Sequence, residues 1–288
     1  MTTISICHTT TYSYRSPANL GPHRLLLRPR ESRNLRIKSH EIECTPEARV
    51  TWANDVFGNA VATAVFSEAT EKLAIESKVE LSLDEDPWPV YEIAGSASEY
   101  PFLLTEDEVS DLGALRLQSY LDVDGNLRDW TQGFVAGSRT DTLSLLKDLC
   151  AGVASQISYE TREEENTQTP LQTLALARGS CRDLAALFVD AVRSLGFGAR
   201  IVSGYLYDEE GNASGFSGNG STHAWAETYV PGAGWITFDP TNRSVGGHNL
   251  VPVAVARHIR QTAPIAGSFV GEKENFDRMD VSVVIVPG

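Results

Sequence analysis

Over roughly the first third of the chain, apolar and polar positions alternate in short runs broken by Pro, Gly and Asn. Alternation with a period of two places one set of side chains on each face of a strand, so these runs predict antiparallel strands with one buried face. The expected strands cover 4–13, 20–29, 35–44, 50–52, 59–66 and 72–81, with a tight turn over Asp55-Val56-Phe57-Gly58-Asn59. An acidic, proline-rich passage, Asp84-Glu85-Asp86-Pro87-Trp88-Pro89, then marks a change of organisation. Residues 1–85 are therefore expected to form an N-terminal β-sandwich, and 86–288 a second, core domain ending in C-terminal strands.

The periodicity changes in the second part. Residues 143–157 repeat apolar positions at helical spacing. A polar run over 160–169, including Glu163, Glu164 and Glu165, reads as a solvated loop. Thr169 caps a short helix with Pro170 at its first position. Leu184, Leu187, Phe188, Ala191, Val192 and Leu195 then mark one amphipathic helix with Gly196 as its stop. A strand is expected over 199–205, and a Gly-, Asn- and Ser-rich loop over 208–221 is expected to overhang a cleft. Residues 221–230 and 235–241 form a hairpin around Pro231-Gly232-Ala233-Gly234. Segments within 249–258, 264–269 and 281–286 are expected to complete the core sheet.

Three residues in this part carry chemistry. Cys181 stands in the first turn of the long helix, where unpaired backbone N–H groups and the positive dipole end favour a thiolate. His223 opens one hairpin strand and Asp239 closes the other, so antiparallel pairing would bring base and orienter together. Asp183, in the same first turn, reads as a capping carboxylate, and Arg182 as a positive charge beside the thiol. Cys7, Cys44 and Cys150 show no paired spacing for zinc or disulfides and read as structural.

The pattern Gly179-x-Cys181-Arg182-Asp183, the strand His223-Ala224-Trp225 and the strand Trp235-x-x-Phe238-Asp239-Pro240-Thr241 resemble the core of the transglutaminase-like superfamily, the papain-related thiol enzymes. Tyr12-x-Tyr14, Leu25-x-x-x-Pro29-Arg30 and Asp55-Val56-Phe57-Gly58-Asn59 are similar to the β-sandwich that bacterial members carry ahead of that core. The resemblance implies an α+β chain, a sandwich followed by helices packed on an antiparallel sheet. It also implies Cys181 as nucleophile, His223 as general base and acid, and Asp239 as the group that orients the imidazole. It implies a thioester intermediate formed from a peptide or glutamine-type amide. Hydrolysis is the first expectation; protein-glutamine crosslinking and a non-catalytic binding module are the alternatives. The backbone N–H of Cys181 would meet the oxyanion, with Tyr159 or Trp225 as the second donor. One departure stands out: Ala256-Arg257-His258 replaces the Gly-Arg-Asp found in many relatives.

Composition narrows the partners. With 38 acidic against 24 basic residues and a net charge of −14, the chain lacks the basic excess that phosphate neutralisation requires, so no nucleic-acid partner is expected. The cluster Arg24, Arg28, Arg30, Arg33 and Arg36 reads as a solvated face of two strands. His8, His23 and His40, like His248 and His258, read as surface or packing residues. No cofactor or metal is called for, since one Cys, one His and one Asp lack a fourth zinc ligand. The first residues carry no export pattern and no run approaches the ~20 apolar residues of a membrane span, so a cytoplasmic location and no membrane partner are expected.

Overall fold

The computed structural model describes residues 2–84, 86–162, 166–207 and 220–288. The alternating segments become β1 (Thr2–Leu20), β2 (His23–Leu25), β3 (Leu35–Thr45), β4 (Ala48–Asn54), β5 (Ala60–Phe66) and β6 (Thr70–Leu83). β6 lies between β1 and β3 in one antiparallel sheet, and β5 lies between β2 and β4 in the other. Ile4, Ile6, His8 and Thr10 of β1 are buried while the residues between them are not, as the alternation requires. The two sheets close over Tyr14, Leu25, Ala62, Ala64, Leu73 and Ile75. The strand expected over 20–29 is short. Leu26 N–H donates to Pro264 O and Arg30 N–H to Pro252 O, each at 2.7 Å, which turns the chain away from the sheet.

Helices and strands then alternate: α1 (Glu106–Leu112), α2 (Asn126–Gln132), α3 (Thr142–Gln156), β7 (Ser158–Tyr159), α4 (Pro170–Leu176), β8 (Arg178–Gly179) and α5 (Cys181–Ser194). β9 (Gly198–Tyr207), β10 (Gly220–Val230), β11 (Gly234–Asp239) and β12 (Leu250–Ala256) follow, in the antiparallel order β11-β10-β9-β12. α5 ends where foreseen, with Gly196 at a φ of +91° that suits glycine. Its Leu184, Leu187, Phe188 and Val192 are at most 1% exposed and share a core with Ala224, Ala226 and Phe238 of the sheet. At its far end Arg193 and Asp190 form a buried pair at 3.2 Å. Arg193 also donates to the carbonyls of Leu115, Ala199 and Arg257, and Asp190 accepts from the N–H groups of Ser119 and Tyr120. These bonds satisfy both charges, as burial demands.

The C-terminal strands correct the sequence reading in part. β12 completes the core sheet beside β9, but β13 (Phe276–Pro287) pairs with β1, from Ile4 opposite Pro287 to Tyr12 opposite Met279. Residues 265–266 pair with β2, and 269–270 with β1. The edge of β1 left open by β6 takes the last strand of the chain, and Ile285 fills its inner face at 1% exposure.

A further hydrophobic cluster joins the N-terminal sheet to the core, packing Ile4, Ile6, Val79 and Leu81 against Tyr205 and Val253. Within this joint the His8 imidazole meets the Tyr205 hydroxyl at 3.0 Å and the Thr10 hydroxyl at 3.1 Å. Neither partner carries charge, and burial pushes the His8 pKa down to about 4. The Arg cluster is also only partly a solvated face. Arg33 and Arg36 are exposed, whereas Arg30 donates to Phe57 O at 3.1 Å and Asn59 Oδ1 at 2.7 Å.

A histidine held neutral in the fold favours the unfolded chain once solution pH drops below its free pKa. Its depressed value therefore leaves stability intact above about pH 6.5 and removes it progressively toward pH 4, by on the order of 3 kcal/mol. Thermal unfolding followed from pH 7 to pH 4 should show a steeper loss for the native chain than for His8→Asn; parallel curves would contradict the assignment.

Candidate active site

Two local devices set the position of Cys181. Thr169 and Gln172 cap α4 reciprocally, with Pro170 at its first position. After Ala177, in the left-handed region at φ 50°, the chain bridges to β7 in parallel: Ser158 N–H donates to Ala177 O and Glu160 N–H to Gly179 O, each at 2.9 Å. Gly179 leaves room for the next turn, because a Cβ there would lie 2.8 Å from Asp183 Cβ. The chain then enters α5 with Cys181 as its first helical residue and Ser180 as its cap.

Asp183 holds that entry from inside. Its carboxylate is fully buried and accepts from Ser180 N–H at 2.8 Å, Ser180 Oγ at 2.9 Å, Gln168 N–H at 2.7 Å and Arg162 Nη1 at 2.8 Å. It anchors the helix start and the end of the polar loop, in keeping with a capping role. Arg182 reaches the carbonyl of Arg162 at 3.3 Å. Glu163–Glu165 and most of the loop expected over the cleft, residues 208–219, lie outside the described residues.

The hairpin supplies the other two side chains. The last paired residues of β10 and β11 are Ala226 and Phe238, so His223 lies three residues before the one and Asp239 directly after the other. They meet diagonally: His223 Nε2 is 2.8 Å from Asp239 Oδ2, and both residues are at most 4% exposed. Asp239 Oδ1 accepts from Thr241 N–H at 2.9 Å, and Asn242 Nδ2 donates to Oδ2 at 2.7 Å. Asn242 is a site residue that type and spacing alone did not single out; its place directly after Asp239-Pro240-Thr241 was the available signal.

Burial opposes charge on both groups and is outweighed in each. The Asp239 carboxylate, by its charge and by accepting from His223 Nε2, together with a hydrogen bond to the Cys181 side chain, pushes the His223 pKa up to about 10. The imidazolium, with donors from His223, Asn242 and Thr241, holds Asp239 below the usual carboxylate range. Because Nε2 is committed to Asp239, Nδ1 is the nitrogen that remains for the thiol. The three residues read from the sequence are thus brought to one place.

The other candidates separate cleanly. Cys150 is 1% exposed, and burial together with the Asp239 carboxylate raises its thiol pKa steeply, which makes it inert. Trp225 stacks on the His223 ring at 6.0 Å between centroids and packs among Val202, Leu206, Leu250 and Val255. Burial, and then the charge of Cys181, raise the Tyr159 pKa. At Ala256-Arg257-His258, Arg257 donates to the carbonyls of Ala114 and Gln118, and the His258 ring sits 5.3 Å from that of Tyr120. Among the described residues no group of three His, Cys, Asp or Glu side chains is arranged to hold a metal ion. Breaking a buried ion pair from one side costs about 3 kcal/mol or more, so Asp183→Asn should lower stability to urea by that amount; a loss below about 1 kcal/mol would contradict its anchoring role.

Comparison with known proteins finds relatives of both parts of the chain. Residues 4–82 match the bacterial transglutaminase-like N-terminal region, and residues 128–240 match the transglutaminase-like superfamily. The chain is 26% identical over 292 residues to the uncharacterized protein Rv2569c of Mycobacterium tuberculosis, covering 98% of this chain and 92% of that one. It is 25% identical over 267 residues to the uncharacterized protein ML0607 of Mycobacterium leprae, covering 92% of each. Among solved structures, a protein of Cytophaga hutchinsonii proposed to be a cysteine protease shares the fold, with a TM-score of 0.72 at 18% identity over 99% of this chain and 91% of that one. Residues 128–240, which hold Cys181, His223 and Asp239, thus carry a transglutaminase-like superfamily core, behind a bacterial transglutaminase-like N-terminal region at residues 4–82 of the same polypeptide.

Proposed function

We propose that the protein is a thiol hydrolase that cleaves peptide or glutamine-type amide bonds through a thioester on Cys181. The observation that carries this reading is the placement of His223, bonded through Nε2 to the buried Asp239 carboxylate and in hydrogen-bond contact with the side chain of Cys181 at the start of α5. His223 takes the proton of Cys181, and the thiolate bonds to the substrate carbonyl carbon while the carbonyl electron pair moves onto oxygen. The backbone N–H of Cys181 meets that oxyanion, with the Tyr159 hydroxyl as second donor. Collapse breaks the carbon–nitrogen bond, and the imidazolium gives its proton to the departing amine. Water deprotonated by His223 then opens the thioester and restores the thiol. Asp239 fixes the ring and stabilises its charged form throughout.

Water rather than a second amine as the final acceptor is supported by the likeness to the Cytophaga hutchinsonii protein, which is proposed to be a cysteine protease. A reducing compartment such as the cytoplasm suits this chemistry, because it keeps the thiol free.

Casein and glutamine-containing peptides, offered with and without a labelled primary amine, test the reaction. New peptide termini or released ammonia are expected from the native chain, falling by about 10³-fold or more in Cys181→Ala. Label uptake would assign amine transfer instead, and product formation independent of Cys181 would contradict the reading. Removing the negative charge beside the imidazole lowers its pKa. In Asp239→Asn the alkaline limb of the pH–rate profile should therefore move to lower pH, with a rate loss of about 10²-fold or more. An unmoved limb would contradict the role of Asp239.

A further inference from the structure

The Asp55–Asn59 turn belongs by sequence to the N-terminal sandwich, yet its side chains are spent on the core. Asp55 Oδ1 accepts from the N–H groups of Phe57 and Asn59, each at 2.9 Å, and Gly58 takes φ +73°, which fixes the turn. Asn59 is completely buried. Its Nδ2 donates to Val255 O at 2.8 Å and its Oδ1 accepts from Val255 N–H at 2.9 Å, so one amide pairs with the β12 backbone as a neighbouring strand would. Arg30 ties Phe57 O and Asn59 Oδ1 from the other side. A two-point bond across 196 residues of sequence, shielded from water, fixes the turn relative to the core sheet.

What this holds in place is Phe57, packed on the cluster of Val202, Leu206, Trp225, Leu250 and Val255. Trp225 is the ring on which His223 rests, with 27° between their planes. Gly204 pairs with His223 in register, and a Cβ there would run first into the Val251 carbonyl oxygen and then, at 2.8 Å, into Trp225 Cη2, so glycine is what lets β12 and the indole both lie close to this strand. We infer that the Asp55–Asn59 turn is a positioning element of the site, with Phe57 pressing Trp225 into place so that the imidazole faces Cys181. The inference rests on the thiol–imidazole reading above and assigns the sandwich a part in it.

Alkylation of Cys181 by iodoacetamide tests this without a substrate, because its rate follows the thiolate that His223 sustains. In the native chain labelling of Cys181 is expected to proceed near pH 6; labelling confined to pH above about 8 would overturn the thiol–imidazole reading itself. Given native reactivity, Phe57→Ala should slow labelling near pH 6 by about tenfold or more and shift its pH profile upward, since a small misplacement of a reacting group has a large effect on rate. Phe57→Met, which keeps reach and apolar volume, should stay within about twofold of native. Unfolding midpoints of each variant separate this from general destabilisation, and Phe57→Val, with an intermediate slowing expected, supplies the reading if the alanine variant does not stay soluble. A folded Phe57→Ala or Phe57→Val protein with the native pH profile would overturn the inference.

Discussion

A single buried hydrogen bond, from His223 Nε2 to Asp239 Oδ2, is the constraint on which the site depends. Removing both groups from water is costly, and an unpaired charge at either position would not persist. The arrangement is tolerable because Asp239 collects further donors from Thr241 and Asn242, so its negative charge is distributed over several hydrogen bonds. That fixed negative charge in turn makes a charged imidazole favourable despite burial. A ring that favours the charged form, in hydrogen-bond contact with the Cys181 side chain, is the arrangement that the proposed proton transfer requires.

Much of the remaining structure brings the sulfur to that ring and keeps it there. α5 is pinned at its start by Asp183 and at its far end by the Arg193–Asp190 pair, with Phe188 against Phe238 between them. The helix therefore has little freedom to slide on the sheet. The strand carrying His223 is held from the opposite direction, by the joint in which Asn59 pairs with β12 and Phe57 packs on the cluster that contains Trp225. Three polar anchors thus bracket the site: Asp183 and the Arg193–Asp190 pair lie in α5 itself, and the third joins Asn59 to Val255, 196 residues apart in sequence.

The legible parts of the sequence were those set by local rules. Pro170 after Thr169, Gly196 after an apolar stripe and Pro231-Gly232 between two strands each act through the backbone of their own neighbours. Cys181, His223 and Asp239 were legible because their order and flanking residues resemble a known core. The destination of β13 was not, since the alternation around Ile285 states that one face is buried but not which sheet edge buries it. α1 and α2, seven residues each, are too short to display a helical period. Arg30 and Asn59 stood in motifs that resemble the bacterial sandwich, but their joint role was not legible, because their partners at Phe57 and Val255 are made neighbours only by folding.

The central claim is that Asp239 keeps His223 charged at neutral pH although the ring is buried. Isotope-edited NMR titration of the His223 imidazole measures this directly. The account predicts imidazolium shifts that persist through neutrality and change only toward pH 10. A neutral ring at pH 7, titrating at or below the ordinary value of about 6.5, would contradict it.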